Sequence, residues 1–338
     1  MVVALKNATV NEVMRLDAIA SFLKTDCDPD DIGFETACTK AVLKKVKRIV
    51  NESQAKRGED VLAAVASHFG VRFEEVRDNR DVANLKRRYL KQRELGFAVL
   101  DRELADGDVD ALLFQLTNVA DDDPEQFVAI LNLQESASRG FWNRAHELVH
   151  RLAEPPQKIL PFRRHRFEAA NPVEKLVDSI AGELAFYPVL FGPLVSKAAK
   201  KKQPLNLKTV IQIQNQFAPT SSLLAATNAI VNHWPAAAIV LTASMRGRKR
   251  APNEAVALRV AMQARNLDAR NTELLVWNNM RVPPSSPLYS AFNERRQCEG
   301  FEDLANWESS TGRSLPKTNV FTSAIGLRDR AYAVISEV

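Results

Sequence analysis

Cysteine is scarce: Cys27, Cys38 and Cys298 are the only three in 338 residues. That count excludes a disulfide framework and a cysteine-rich zinc site, and it fits a reducing compartment. Long apolar runs are missing as well. No stretch approaches the roughly eighteen apolar residues of a membrane span. The opening MVVALKNATVNEVMRLDAIASFLK holds no unbroken apolar core followed by a small-residue cleavage site. Neither export nor a membrane anchor is expected, and the expected location is the cytoplasm. Charge of one sign is not in large excess. The 46 Lys and Arg against 41 Asp and Glu leave +5, which permits nucleic-acid contact without requiring it. What is present is a globular composition, 46% hydrophobic and 26% charged, in a chain long enough for two or three domains.

Periodicity divides the chain into an α+β multidomain protein. Residues 1–95 read as a mostly helical N-terminal region. FETACTKAVLKKVKRIVNESQAKRGEDVLAAVASHFGV carries apolar residues at helical spacing with Gly70 as a stop, and VANLKRRYLKQRELGFAVLDREL follows as a basic helix. FVAILNL, residues 127–133, is a short apolar run bounded by turn residues and reads as a buried strand. After it come the helix of RGFWNRAHELVHRLAEP, a proline-punctuated loop, and the helix VEKLVDSIAGELAFYPVLF. Residues 205–235 form two short helical patterns around FAPTSS, where Thr220 or Ser221 is placed to cap the second. From 236 to 338 the patterns AAAIVLTASM, VALRVAMQA, TNVFTSA and RAYAVISEV read as strands, with a helix at SSPLYSAFNERR, giving a separate α+β domain.

The chemistry concentrates at His146-Glu147-Leu148-Val149-His150. On a helix the two imidazoles lie one turn apart on one face and reach the same ion, with the glutamate beside an open coordination position. Zn²⁺ suits such a site: catalytic centres use three protein ligands and lower the pKa of the bound water to about 7. By chance the bare motif falls in roughly one chain of this length in a hundred. Here it sits inside a clean helical pattern in which Ala145, Leu148, Val149 and Leu152 supply the apolar positions. A third ligand must come from elsewhere. The next helix offers Glu174, Asp178 and Glu183; the first two are four apart and share a face, and spacing alone does not choose among them. His68 and His233 read as structural.

FVAILNLQESASRGFWNRAHELVHRL resembles the ImmA/IrrE family of metallopeptidases, in which a strand leads through a basic-aromatic turn to an Ala-His-Glu-x-x-His helix. Downstream, EKLVDSIAGELAFYP is similar to the family's Glu-x-x-Ala-Asn-x-x-Ala-Ala-Glu-Leu, with Asp178 where Asn is usual and Phe186-Tyr187 before the proline with one extra residue. The likeness covers about residues 110–195. It implies a mostly helical zincin-like peptidase domain with a small sheet over 96–235, in which 205–235 is a helix-turn-helix-like segment. A GAF-like sensor domain is implied over 236–338. It further implies that His146, His150 and Glu174 hold Zn²⁺, that Glu147 is the general base, and that Glu183 is a helix residue and not a ligand. Asp178 stands where it would compete weakly for the metal.

Three further expectations follow. The strand 127–133 is placed to receive an extended substrate by β-augmentation. The oxyanion donor would come from Tyr187, His165 or the cluster Arg163, Arg164 and Arg166, and a thiol from Cys27, Cys38 or Cys298 could occupy the open zinc position. The resemblance implies an intracellular regulatory peptidase that cuts a helix-turn-helix repressor and so releases stress, DNA-damage or phage-defence genes. Single-stranded DNA or another ligand is the candidate activator; basic residues at 84–93 and 197–202 and Arg246, Arg248, Lys249 and Arg250 would suit the DNA, while each stretch taken alone reads as solvated charge. The competing reading is a DNA-binding transcription regulator with a vestigial peptidase site. Against it, SSLLAATNAIVNHW contains no Lys or Arg.

Overall fold

The computed structural model describes residues 9–105, 109–120, 123–134, 137–155, 162–165 (backbone only), 171–201, 203–247, 256–272, 274–309 and 312–337. It is a mixed α+β structure with two small sheets, and its contacts form two compact units. One comprises Met1–Pro188 with Thr220–Ser222, the other Val189–Pro219 with Leu223–Val338. In this grouping the helical N-terminal region shares a unit with the motif helix. The segment 205–235, apart from Thr220–Ser222, groups with the strand-rich part that follows.

The first unit runs α1 (Val10–Leu23), α2 (Phe34–Ser53), α3 (Gly58–His68), β1 (Val71–Val76), α4 (Asn79–Lys91), α5 (Leu100–Ala105), β2 (Val109–Gln115), β3 (Phe127–Asn132), α6 (Gly140–Ala153), β4 (Phe162–His165) and α7 (Pro172–Ala185). Its sheet has the order β1-β3-β2-β4, with β1 parallel to β3 and the remaining pairs antiparallel. Two of these strands lie where helix or loop was expected. Val71–Val76 is buried at its two ends and half-buried between them, and it starts directly after Gly70, at φ +67°, has turned the chain out of α3. Within the proline-rich stretch, Phe162–His165 pairs with β2. The basic helix also stops early. Arg93 takes a left-handed conformation, and Glu94 turns inward to accept from Thr117 N and Oγ1 and from Asn118 N.

Helix α6 lies against β3 and β2 and is held from both sides. Arg144 pairs with Glu75 of β1 at 2.6 Å, and Arg151 stacks over Phe127. On the other side Arg139 pairs with the Asp110 carboxylate, while Asn143 donates to the Asp110 carbonyl of β2 at 3.1 Å. Phe141 seats the helix as a core anchor, and Trp142 is half-buried beside it. Phe141 meets Phe186 edge-on and closes over Gly58, where an added Cβ would sit 2.9 Å from its ring; Trp142 covers Gly182 of α7. α7 begins at an Asn171 cap with Pro172 in its first turn.

The second unit runs α8 (Pro188–Ala199, whose first residue belongs to the other unit), α9 (Leu207–Phe217), α10 (Leu223–His233), β5 (Ala238–Arg246), β6 (Ala257–Arg265), α11 (Leu267–Arg270), α12 (Pro287–Glu294), β7 (Gln297–Asp303), β8 (Asn319–Gly326) and β9 (Arg330–Glu337). The sheet is antiparallel throughout, in the order β6-β5-β9-β8-β7. The four strands and the helix expected from the sequence are all present, and β7 is an addition. Thr220, expected to cap α10, instead gives its backbone N–H and hydroxyl to Glu59 of the first unit's α3. Among the described residues no single helix is long and apolar enough to cross a membrane.

Candidate metal centre

Helices α6 and α7 bring His146, His150 and Glu174 to one point. One donor atom from each lies within 4.8 Å of the others. The two Nε2 atoms are 2.9 Å apart, and Glu174 Oε2 is 3.2 Å from that of His146 and 3.5 Å from that of His150. Ligands about 2.1 Å from a tetrahedral zinc ion stand ~3.4 Å from one another, so this triangle has nearly the required size. Of the acidic residues on α7, Glu174 is the one that completes the group.

The far nitrogens decide what the near ones can do. His146 Nδ1 lies 2.9 Å from Asp178 Oδ1, and His150 Nδ1 lies 2.5 Å from Glu154 Oε1. A carboxylate at Nδ1 keeps the proton there and leaves Nε2 as an acceptor. Two imidazole acceptors and a carboxylate oxygen then face one another in a buried space. Acceptors at this spacing repel unless a cation, or an extra proton, sits among them. The donor set and its outer carboxylates fit a divalent metal of the zinc type.

The ionisation of the cluster tells the same story. Burial alone would lower the His150 pKa, but the Glu174 and Glu154 carboxylates outweigh it and hold the imidazole well above its usual range. Burial would raise both carboxylates, yet Glu174 is driven far below the usual range by His150 and His146, and Glu154 is lowered by His150 and Arg15. Cation and carboxylates hold each other charged inside the protein, and a metal would take the place of the proton.

Sequence reasoning misassigned one residue here and missed two. Asp178 orients the His146 ring instead of competing for the metal. Glu154 does the same for His150, and a signal for it existed, since it stands four residues after that histidine on the same helix. Arg15 donates to both oxygens of Glu154, at 3.1 and 2.9 Å, and nothing in the local sequence announced it.

The remaining expectations divide. Glu147 is fully buried on the same turn as the ligands, four residues from Asn143. The strand 127–133 is an interior strand: β1 and β2 occupy both of its edges, so β-augmentation cannot take place there. Tyr187 is buried, which pushes its phenol up in pKa. The side chains of Arg163, Arg164 and His165, and Arg166 altogether, lie outside the described residues. No cysteine joins the ligand group among the described residues, and burial with Cys27 nearby pushes the Cys38 thiol up to about 12. His68 is exposed at the end of α3, and His233 packs edge-on against Phe191.

Two of the basic residues of α4 are paired within its own unit. Lys86 pairs with Asp101 at 2.7 Å, and Arg88 with Glu74. Tyr89 is fully buried and gives no base-stacking surface. Arg246 bonds Ser244, while Lys202, Arg248, Lys249 and Arg250 lie outside the described residues.

No protein-family model matches the chain, and no curated protein matches it.

Proposed function

We propose that the protein is a zinc-dependent endopeptidase whose centre is built by His146, His150 and Glu174, with Glu147 as general base. The observation that carries this reading is the convergence of two histidine Nε2 atoms and one carboxylate oxygen, each imidazole backed by its own carboxylate. When bound, zinc would polarise the scissile carbonyl and activate a water. Glu147 would accept that water's proton and pass it to the leaving amine. Asp178 and Glu154 would hold the rings in the required tautomer. The resemblance of α6 and α7 to ImmA/IrrE peptidases makes a helix-turn-helix repressor the proposed substrate, and a zincin-like first unit and a GAF-like second unit the proposed folds. Response to a stress or phage signal is the proposed setting.

With β3 enclosed, an extended substrate would add to a free edge. Asn143 shares its helix face with Glu147 and bonds the carbonyl of Asp110 on β2, the strand that carries β4. The outer edge of β4 is therefore the proposed substrate track. Because Glu147 is sealed from solvent, the resting protein is expected to cut slowly until a signal opens access.

The test mixes the protein with the small helix-turn-helix repressor encoded beside its gene and follows site-specific cleavage by mass spectrometry. Cleavage that a chelator abolishes, zinc restores and Glu147→Gln reduces by about 10²–10⁴-fold is expected. Cleavage that survives both chelation and Glu147→Gln would overturn the reading, as would tight duplex-DNA binding by a chain that takes up no zinc.

A further inference from the structure

We propose that Arg15, delivered by the N-terminal helix α1, is a positioning residue of the metal centre: it fixes Glu154, and through Glu154 the His150 ring, in ligand geometry. The proposal rests on the metal-centre reading but not on the identity of any substrate. Its basis is a continuous chain of contacts. Arg15 Nη2 reaches both Glu154 oxygens, Glu154 Oε1 reaches His150 Nδ1, and His150 Nε2 faces the metal position. The same Nη2 lies 3.9 Å from Glu174 Oε1. One guanidinium thus stands beside a ligand carboxylate and beside the carboxylate that orients a ligand histidine.

Physical chemistry gives that guanidinium two tasks. An imidazole turns readily about its terminal torsion, and a carboxylate at Nδ1 stops it only if the carboxylate is itself held. Glu154 is only 3% exposed, so little water is available to hold or solvate it. Arg15 does both, because its guanidinium is always charged and its Nη2 reaches both carboxylate oxygens. The second task is charge balance. Glu147, Glu154, Glu174 and Asp178 place four carboxylates in the cluster, and a divalent ion offsets only part of that charge. Arg15 supplies the next positive group without occupying a coordination position.

The sequence builds α1 for this purpose. A Thr9–Glu12 capping box starts the helix, and Leu16, Ile19 and Leu23 repeat on one face and are buried. Arg15 precedes the first of these, and α1 contacts α2, α6 and α7. The helix is therefore a component of the centre and not an appendage to it.

The test uses the full chain and two readouts that need no substrate: zinc affinity by competition with a chromophoric chelator, and the visible spectrum of the Co²⁺-loaded protein. Arg15→Ala and Arg15→Gln are expected to weaken zinc binding by about 10–100-fold and to shift the cobalt bands. Arg15→Lys is expected to recover part of the affinity, because it keeps the charge and one donor nitrogen on a side chain of different reach. In a Glu154→Gln background, Arg15→Ala should add little, because the two residues act in series. Arg15→Ala and Arg15→Gln proteins with wild-type affinity and an unchanged cobalt spectrum would overturn the proposal alone. Losses at Arg15 and Glu154 that simply add would also overturn it. A wild-type chain that takes up no zinc would remove the metal-centre reading and this inference with it.

Discussion

Around α6 and α7 the first unit encloses His146, Glu147, His150, Glu154 and Glu174. The second unit closes its sheet over Ile239, Leu241, Val260, Trp307, Val320 and Ile335, and the polar residues it buries are mostly serines and threonines. Two of its inward polar side chains show how such groups are held in place. Asn266 donates to the Trp234 and Ala236 carbonyls and accepts from Ala238 N and Ala269 N. Glu302 accepts from Ser286, Trp307 and Thr322. Unlike these, the three donor atoms of the first unit point at one another, an arrangement that is unfavourable without a cation. Buried polar groups that converge on a point mark a site, whereas buried polar groups that bridge backbone segments mark a scaffold.

The contrast breaks first at glycines. An added Cβ at Gly326 would lie 1.8 Å from the Ala291 carbonyl oxygen, so helix and strand must separate. Gly326→Ala is expected to cost the second unit about 3 kcal/mol or more. At Gly58 the nearest atoms are the Ala185 carbonyl at 2.8 Å and the rim of Phe141 at 2.9 Å, and Gly58→Ala should cost the first unit about 1–3 kcal/mol. Protease susceptibility with fragment mapping separates the two. Loss of the α6–α7 fragment in Gly326→Ala before any loss of the sheet would contradict the assignment.

The metal should stabilise one unit only. Zinc at 100 times its Kd adds about 2.7 kcal/mol to whatever it binds. Cys38 reports on this, because its buried thiol, with a pKa near 12, is protonated at working pH and becomes reactive only when the first unit opens. Zinc is expected to slow Cys38 labelling by up to about a hundredfold in wild type and not in His150→Ala. Labelling of the half-buried Cys298 in the second unit should not change. A smaller effect is expected at Asp178, whose side chain is 46% exposed. Asp178→Asn keeps an acceptor for His146 Nδ1 and should lower zinc affinity by less than tenfold, well short of Glu154→Gln.

How much of this was readable depended on range. The α6 motif, the α7 carboxylates and the strands β5, β6, β8 and β9 are written in patterns a few residues long, and local periodicity recovers them. Asp178 was visible, but its role was not. Four-residue spacing places it on the face of Glu174, and only the position of the His146 ring shows that it meets Nδ1. β1 was hidden because VRFEEV is short, directly follows a helix and breaks period-two alternation at Glu74-Glu75. The enclosure of β3 was hidden because its partners start at residues 71 and 109, and strand pairing over such separations leaves no local mark. Arg15 meets Glu154 across 139 residues, and no spacing rule connects them.

The finest contrast concerns pH, through Glu302. Burial raises its pKa, while hydrogen bonds from Thr322, Trp307 and Ser286 oppose the rise without cancelling it. The folded second unit therefore holds this proton more tightly than the unfolded chain does. Its contribution to stability is complete below the ordinary carboxylate value of 4.5 and is lost as pH rises through the folded value. Replacing the carboxylate by an amide that cannot ionise removes the dependence. Glu302→Gln should flatten the second unit's urea midpoint between pH 4 and pH 7, where wild type falls as pH rises. The change should be smaller than any effect above, because the three donors continue to serve an amide oxygen in part. A wild-type midpoint that instead rises with pH, and does so only when Glu302 is present, would show that hydrogen bonding outweighs burial at this carboxylate. The second unit would then hold an ionised group on the same terms as the first, and the contrast between the two would narrow to the metal alone.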